Sequence, residues 1–371
     1  MRHRRARALA TVAFAALTAL AFVTGPAASA APGAGAVYVL TNQAANAVQV
    51  YQRAPDGSLT FSGDFPTTGA GTGAGLGSQG SLVLKGGRLF AVDAGSNQIS
   101  DFSVGGAGLT LTHLDTVGSG GVSPISLAVK GSLLYALNAG DASHAGSITG
   151  FRVHDNGTLH AIPGSARPLS ADSVGPAEVL FSPNGRVLVV TEKNTNLIDT
   201  YAVGSSGLAT GPTTHPSSGQ TPFGFAARGR RLFVSEAFGG ATDASAVSSY
   251  RIADDGSLHV ISASVPTTET AACWVVVTPD GRYAYDSNTG SNSVSGFRIG
   301  PNGSLRLLDA DGKSGDTGGA PADAAVAAGF LYTNDGAGHD ISAFAVNGDG
   351  SLTPDSGATG LPPGAVGLAA S

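Results

Sequence analysis

The sequence predicts an all-β protein, a seven-bladed β-propeller with four antiparallel strands per blade. Three observations predict it. A turn followed by leucine recurs at Leu59, Leu109, Leu159, Leu208, Leu258, Leu305 and Leu352, with spacings of 50, 50, 49, 50, 47 and 47 residues. An aromatic marker keeps step at Tyr51, Phe102, Phe151, Tyr201, Tyr250, Phe297 and Phe344, spaced by 51, 49, 50, 49, 47 and 47. The repeat is also split between the two chain ends, which suits a closed ring and not an open solenoid.

Taken in chain order, the first element is an address. Arg2, Arg4, Arg5 and Arg7 precede an apolar run from Leu9 to Val23, and Ala28-Ser29-Ala30 follows. That order is the pattern of a secretory signal peptide. It divides the chain into a leader over 1–30 and a single domain over 31–371. Cleavage would leave 16 basic against 26 acidic residues, a balance of −10. The expectation is a secreted monomer on the general secretory route, with no membrane association after cleavage.

The blades follow. Val37-Tyr38-Val39-Leu40 matches a second strand, as in Leu134-Tyr135-Ala136-Leu137. First and second strands are joined by turns such as Ser182-Pro183-Asn184-Gly185-Arg186 and Thr278-Pro279-Asp280-Gly281-Arg282. Asn-Gly and Asp-Gly suit turns that need a positive φ. Third strands end at the aromatic marker, as in Ser293-Val294-Ser295-Gly296-Phe297. The Asp/Asn-Gly-Ser/Thr-Leu turn leads into the fourth. Pro363 to Ala370 resembles the Pro124 to Val129 opening and supplies the first strand that blade one lacks.

Composition narrows function. Glycine supplies 55 of 371 residues, but 42% hydrophobic content is enough to bury a core. The single Cys273 excludes a disulfide framework and multi-cysteine metal sites. The formal charge of −6 gives no support for nucleic-acid binding. The glycine-rich run Gly69 to Gly80 lacks the Gly-Lys-Ser/Thr ending of a phosphate loop. No G-x-S-x-G, S-x-x-K or H-E-x-x-H occurs.

The run from Ser182 to Tyr201 resembles the lactonase family of seven-bladed propellers, as does Thr278 to Asn288 with the turn and leucine that follow. That family includes 6-phosphogluconolactonase and carboxy-cis,cis-muconate cyclase. The resemblance covers nearly all of 37–371 and implies a lactone hydrolase. It further implies an Arg and His at one blade opening, a His at another, and a Glu at a second-strand end. Here Glu192 stands at the glutamate position. The openings Pro176-Ala177-Glu178 and Pro124-Ile125-Ser126 carry neither Arg nor His.

Aligning the repeats places two positions per blade at one mouth of the tunnel. Second strands end at Thr41, Asp93, Asn138, Glu192, Glu236, Asn288 and Asp335. Innermost strands start at Gln79, Ser126, Glu178, Phe223, Cys273, Trp274 and Asp323. The expected catalytic residue is Glu192, with help from Glu236, as general base on a neutral, sugar-type lactone. Asp93, Asn138, Glu178, Trp274, Asn288, Asp323 and Asp335 form the expected binding funnel. So acidic a rim repels a phosphorylated or carboxylated lactone. No cofactor is required, although the carboxylates would suit Ca²⁺ or Mg²⁺. Trp274 stacks on a sugar ring or caps the tunnel, and Cys273 is a buried small hydrophobe. His144 and His339 lie in loops that could overhang the funnel, whereas His160 and His259 sit on outer strands. The alternative is a non-catalytic extracellular binding propeller on the same fold.

Overall fold

The blades are set by their turns. In the computed structural model, which describes residues 34–371, the glycine of the recurring turn has a positive φ in every unit: Gly57, Gly108, Gly157, Gly207, Gly256, Gly303 and Gly350 lie between 83° and 98°. An L side chain resists that conformation. Asp56, Asn156, Asp255, Asn302 and Asp349 each accept the backbone N–H two residues on, which closes the turn. The leader expected over 1–30 lies outside the described residues.

Seven antiparallel sheets result, each ordered from the axis outward. Blade 4 is typical: Pro176–Phe181 innermost, then Val187–Glu192, Leu197–Val203 and Ala209–Pro216. In blades 3 and 6 the outermost strand is broken in two, Leu159–Ala161 with Arg167–Pro168, and Leu305–Leu307 with Gly315–Asp316. The innermost strands pack against one another round the ring. Val366–Ala370 pairs with Gly35–Leu40, so the C-terminal strand completes blade 1 as the split repeat predicts.

The aromatic marker fills the space between blades. All seven residues are at most 2% exposed. The turns are also tied from blade to blade. The hydroxyls of Tyr38, Tyr135, Tyr285 and Tyr332, all on second strands, donate to the carbonyls of Gly108, Gly207, Gly350 and Gly57 in the next blade at 2.7–2.9 Å. The Tyr332 bond joins blade 7 to blade 1 and closes the ring at its outer edge.

Candidate functional site

The second-strand ends do not face open space. Each lies between blades, under the segment that crosses in from the preceding blade. Glu192 is 0% exposed. Its carboxylate accepts from the Ser170 N–H at 3.0 Å, from the Ser170 hydroxyl, and from Thr195 Oγ1 at 2.7 Å. Glu236, also 0% exposed, accepts from the Gly219 N–H at 2.8 Å, Ser248 Oγ at 2.5 Å and Ser264 Oγ at 2.6 Å. Asp93 binds Thr67, Ser100 and Asn46, and Asp335 binds the Gly318 N–H, Thr333 and Ser342. Asn138 donates to Ser119 O and Thr149 Oγ1, and Asn288 to Ser293 and Ser295.

These groups are therefore crossover clamps. Burial pushes the carboxyls of Asp93 and Glu236 upward, and that of Asp335 to about 6. Glu192 and Glu236, expected at the rim, lie buried between blades. Their oxygens are taken up by donors of the crossover and of their own blade, and neither lines the cleft described below. The same holds for Asp93, Asn138, Asn288 and Asp335 as funnel residues.

The tunnel itself is plugged. The glycine-rich run, set aside above as a loop, reaches across it. Gln79 Nε2 donates to Val275 O at 2.9 Å, and its Oε1 accepts from the Val275 N–H at 3.2 Å, bridging blade 2 to blade 6. Trp274 Nε1 donates to Ser78 O at 2.9 Å, and its ring packs against Phe223 with centroids 5.2 Å apart. Trp274 is thus a cap on the plug, 5% exposed. Glu178 and Asp323 are buried on the tunnel wall. Glu178 accepts from the Phe225 N–H at 2.5 Å, and Asp323 from the N–H groups of Ala324 and Leu368. Burial raises both carboxyls, Asp323 to about 7. Burial likewise pushes the Cys273 thiol up to about 12, which leaves it protonated and inert.

The acids are not arranged for a metal. Among the described residues no three of His, Cys, Asp or Glu converge as ligands. The expected donors are dispersed among separate clamps, one or two to a blade, so they do not fit Ca²⁺ or Mg²⁺.

One cavity opens beside the plug. It has a volume of about 770 Å³, within the range of small-molecule sites. Its first wall is the loop after the second strand of blade 3, which has eight residues (139–146), where blade 4 needs only four (193–196). Asp172 and Ser173 of the crossover into blade 4 form the second wall, and Lys193 and Asn194 the third. Leu76 of the plug lies at the inner end.

Chemistry concentrates in this cleft. His144 Nδ1 lies 2.8 Å from Asp141 Oδ1. A carboxylate only accepts, so Nδ1 carries the proton and Nε2 is left with its lone pair. Asp141 Oδ1 also accepts the N–H groups of Ser143 and His144. The Ser143 N–H first, and then the His144 ring, hold its carboxyl below the usual carboxylate range. Lys193 supplies the cation. Its amine donates to Gly77 O at 2.6 Å and lies 4.5 Å from the centre of the Phe223 ring. Burial pushes it down to about 8. Lys193, Asp141 and Asp172 escaped the repeat reading, which looked only at aligned slots. Two signals were available: Lys193 is one of just four lysines, and the blade 3 loop is overlong.

Comparisons with known proteins agree on the scaffold. Residues 158–276 match the model of the lactonase seven-bladed β-propeller family. The match includes the walls at 172–173 and 193–194 but not the Asp141–His144 loop. The resemblance drawn from the blade turns is borne out over that span. No curated protein matches the sequence. A periplasmic gluconolactonase from Pseudomonas aeruginosa superposes with a TM-score of 0.70 at 18% identity, over 91% of this chain and 99% of that one. A hypothetical selenium-binding protein from Sulfolobus tokodaii superposes at 0.65 with 13% identity, over 92% and 94%. At such identities the likeness establishes the fold alone, and one fold carries many functions.

Proposed function

We propose that the protein is an exported hydrolase of an uncharged, sugar-type lactone, and that the reaction takes place in the cleft beside the plug. The observation that carries this reading is the Asp141–His144 pair in a cavity of suitable size whose other wall holds a lysine. Asp141 fixes the ring so that Nε2 can take a proton from water. The resulting hydroxide adds to the lactone carbonyl carbon, and the carbonyl electrons move to oxygen. In this reading Lys193, on the opposite wall, binds that oxyanion. When the intermediate collapses, the ring C–O bond breaks. The departing alkoxide takes back the proton from His144, leaving the hydroxy acid.

Two carboxylates and one cation line the cleft, a balance unfavourable to an anionic lactone. The match of residues 158–276 to a lactonase family supports the substrate class, and the leader expected over 1–30 supports export. The test is a pH-stat screen of neutral sugar lactones with the wild type and His144→Ala. His144 is 62% exposed, so its removal should leave folding intact. General-base loss is expected to lower kcat/KM by about 10²–10⁴-fold. Ligand binding without turnover would identify a binding propeller instead.

A further inference from the structure

Blade 4 departs from the repeat at one buried position. In blades 2 to 7 the clamp residue at the second-strand end is faced by a third-strand residue two places inward, and blade 1 carries the partly exposed Gln49 there. The facing residue is Ser100 in blade 2, Thr149 in blade 3, Ser248 in blade 5, Ser295 in blade 6 and Ser342 in blade 7. Each is a hydroxyl bonded to its clamp. In blade 4 the position is Asp199, which pairs with Val190 across from Glu192. Asp199 is 0% exposed, and neither of its oxygens has a donor. Its polar neighbours are the Glu192 carboxyl, the Ser170 N–H and the Tyr201 hydroxyl. The Ser170 N–H is committed to Glu192 and the Tyr201 hydroxyl to Pro168 O, so a proton held in common is what relieves the two facing carboxyls.

This exception underlies the cleft. Glu192 binds Ser170, on the crossover that carries Asp172 and Ser173, and Thr195, on the turn that carries Lys193 and Asn194. Both segments line the cavity. A single carboxyl therefore ties two of its walls together. Tyr201, on the strand of Asp199, donates to Pro168 O just ahead of that crossover.

We propose that Glu192 and Asp199 form a positioning pair that holds these two walls in register, and that loss of their shared proton releases the hold. The proposal rests on the cleft being the working site. Protonated, Asp199 acts as the hydroxyl donor that the clamp carboxylate meets in blades 2, 5 and 7. Ionised, it sets two like charges against one crossover. Burial first, and then Glu192, push the Asp199 carboxyl up to about 8, so release belongs to mildly alkaline pH. The titratable group facing the pair is Tyr201, whose phenol both carboxyls raise further. Lys193 directs its amine to Gly77, and His215 bonds to Thr200, the neighbour on the opposite strand face.

Asp199→Ser restores the residue type of the other blades, and Asp199→Asn supplies a permanent donor if serine leaves a gap. Amide hydrogen exchange of segments 170–175 and 193–196 would be followed from pH 6.5 to 9, corrected for intrinsic base catalysis. In the wild type both segments should lose protection together, by about tenfold one unit above the transition. In either variant that loss should be absent. KM for a turned-over lactone should rise with pH in the wild type more than in the variants, with kcat changing less. Lys193 titrates equally in all three, so the difference belongs to the pair. Identical pH dependence in wild type and variants, or independent responses of the two segments, would overturn the proposal. Failure to hydrolyse any lactone would remove the enzymatic reading and leave the exchange result standing.

Discussion

At the scale of single residues, the cation of the cleft is the sharpest point. Lys193 is held by one carbonyl and one ring face, which leaves its remaining N–H donors for a ligand. Lys193→Met keeps the length of the stem and removes the charge. Loss of one oxyanion donor is expected to cost about 10²–10³-fold in kcat, with KM less affected. Steady-state kinetics on the same lactone would show it, and an unchanged kcat would remove Lys193 from the reaction. Repeat alignment did not point to Lys193 because its side chain matters through the loop of another blade. The alignment did find Glu192 and Glu236 and put them at the right strand ends. It could not show which way they face. That is decided by crossover segments such as 170–175 and 217–221, which have no period.

At the scale of elements, the recurring turn does more than reverse the chain. Its glycine carbonyl receives a tyrosine hydroxyl from the preceding blade in four of the seven joints. This explains why a feature that looks local keeps so strict a spacing. Tyr332→Phe removes one such bond and leaves Gly57 O buried without it. A loss of about 0.5–1.5 kcal/mol is expected, read from the urea midpoint at unchanged slope. The same substitution at Tyr283, whose hydroxyl serves the more exposed Gly348 O, should cost less. The blade pattern was legible because strands and turns are local. The plug was not, because nothing in Gly69 to Gly80 marks its path across the axis to Trp274 and Val275.

At the scale of the whole molecule, buried carboxyls dominate the response to pH. Asp199, Asp323 and Asp335 are raised by burial to about 8, 7 and 6, and Asp93, Glu178, Glu236 and Asp286 are raised as well. In the unfolded chain these groups titrate near 4. Between those values the folded state binds more protons than the unfolded one, so stability falls as pH rises. His215 and Lys193, both lowered by burial, work in the opposite sense, but they are two groups against seven, and Lys193 acts only above about pH 8. The expected outcome is a stability that is highest near about pH 4 and declines steadily to about pH 8. Urea unfolding at pH 5, 6.5 and 8.5 would measure it. A flat or rising profile would mean that the raised carboxyls find donors, such as ordered water, that keep them ionised. Asp199→Ser separates the contributions: it should lessen the slope across the whole window from about pH 4 to 8, most visibly between 7 and 8, where Asp323 and Asp335 have already ionised.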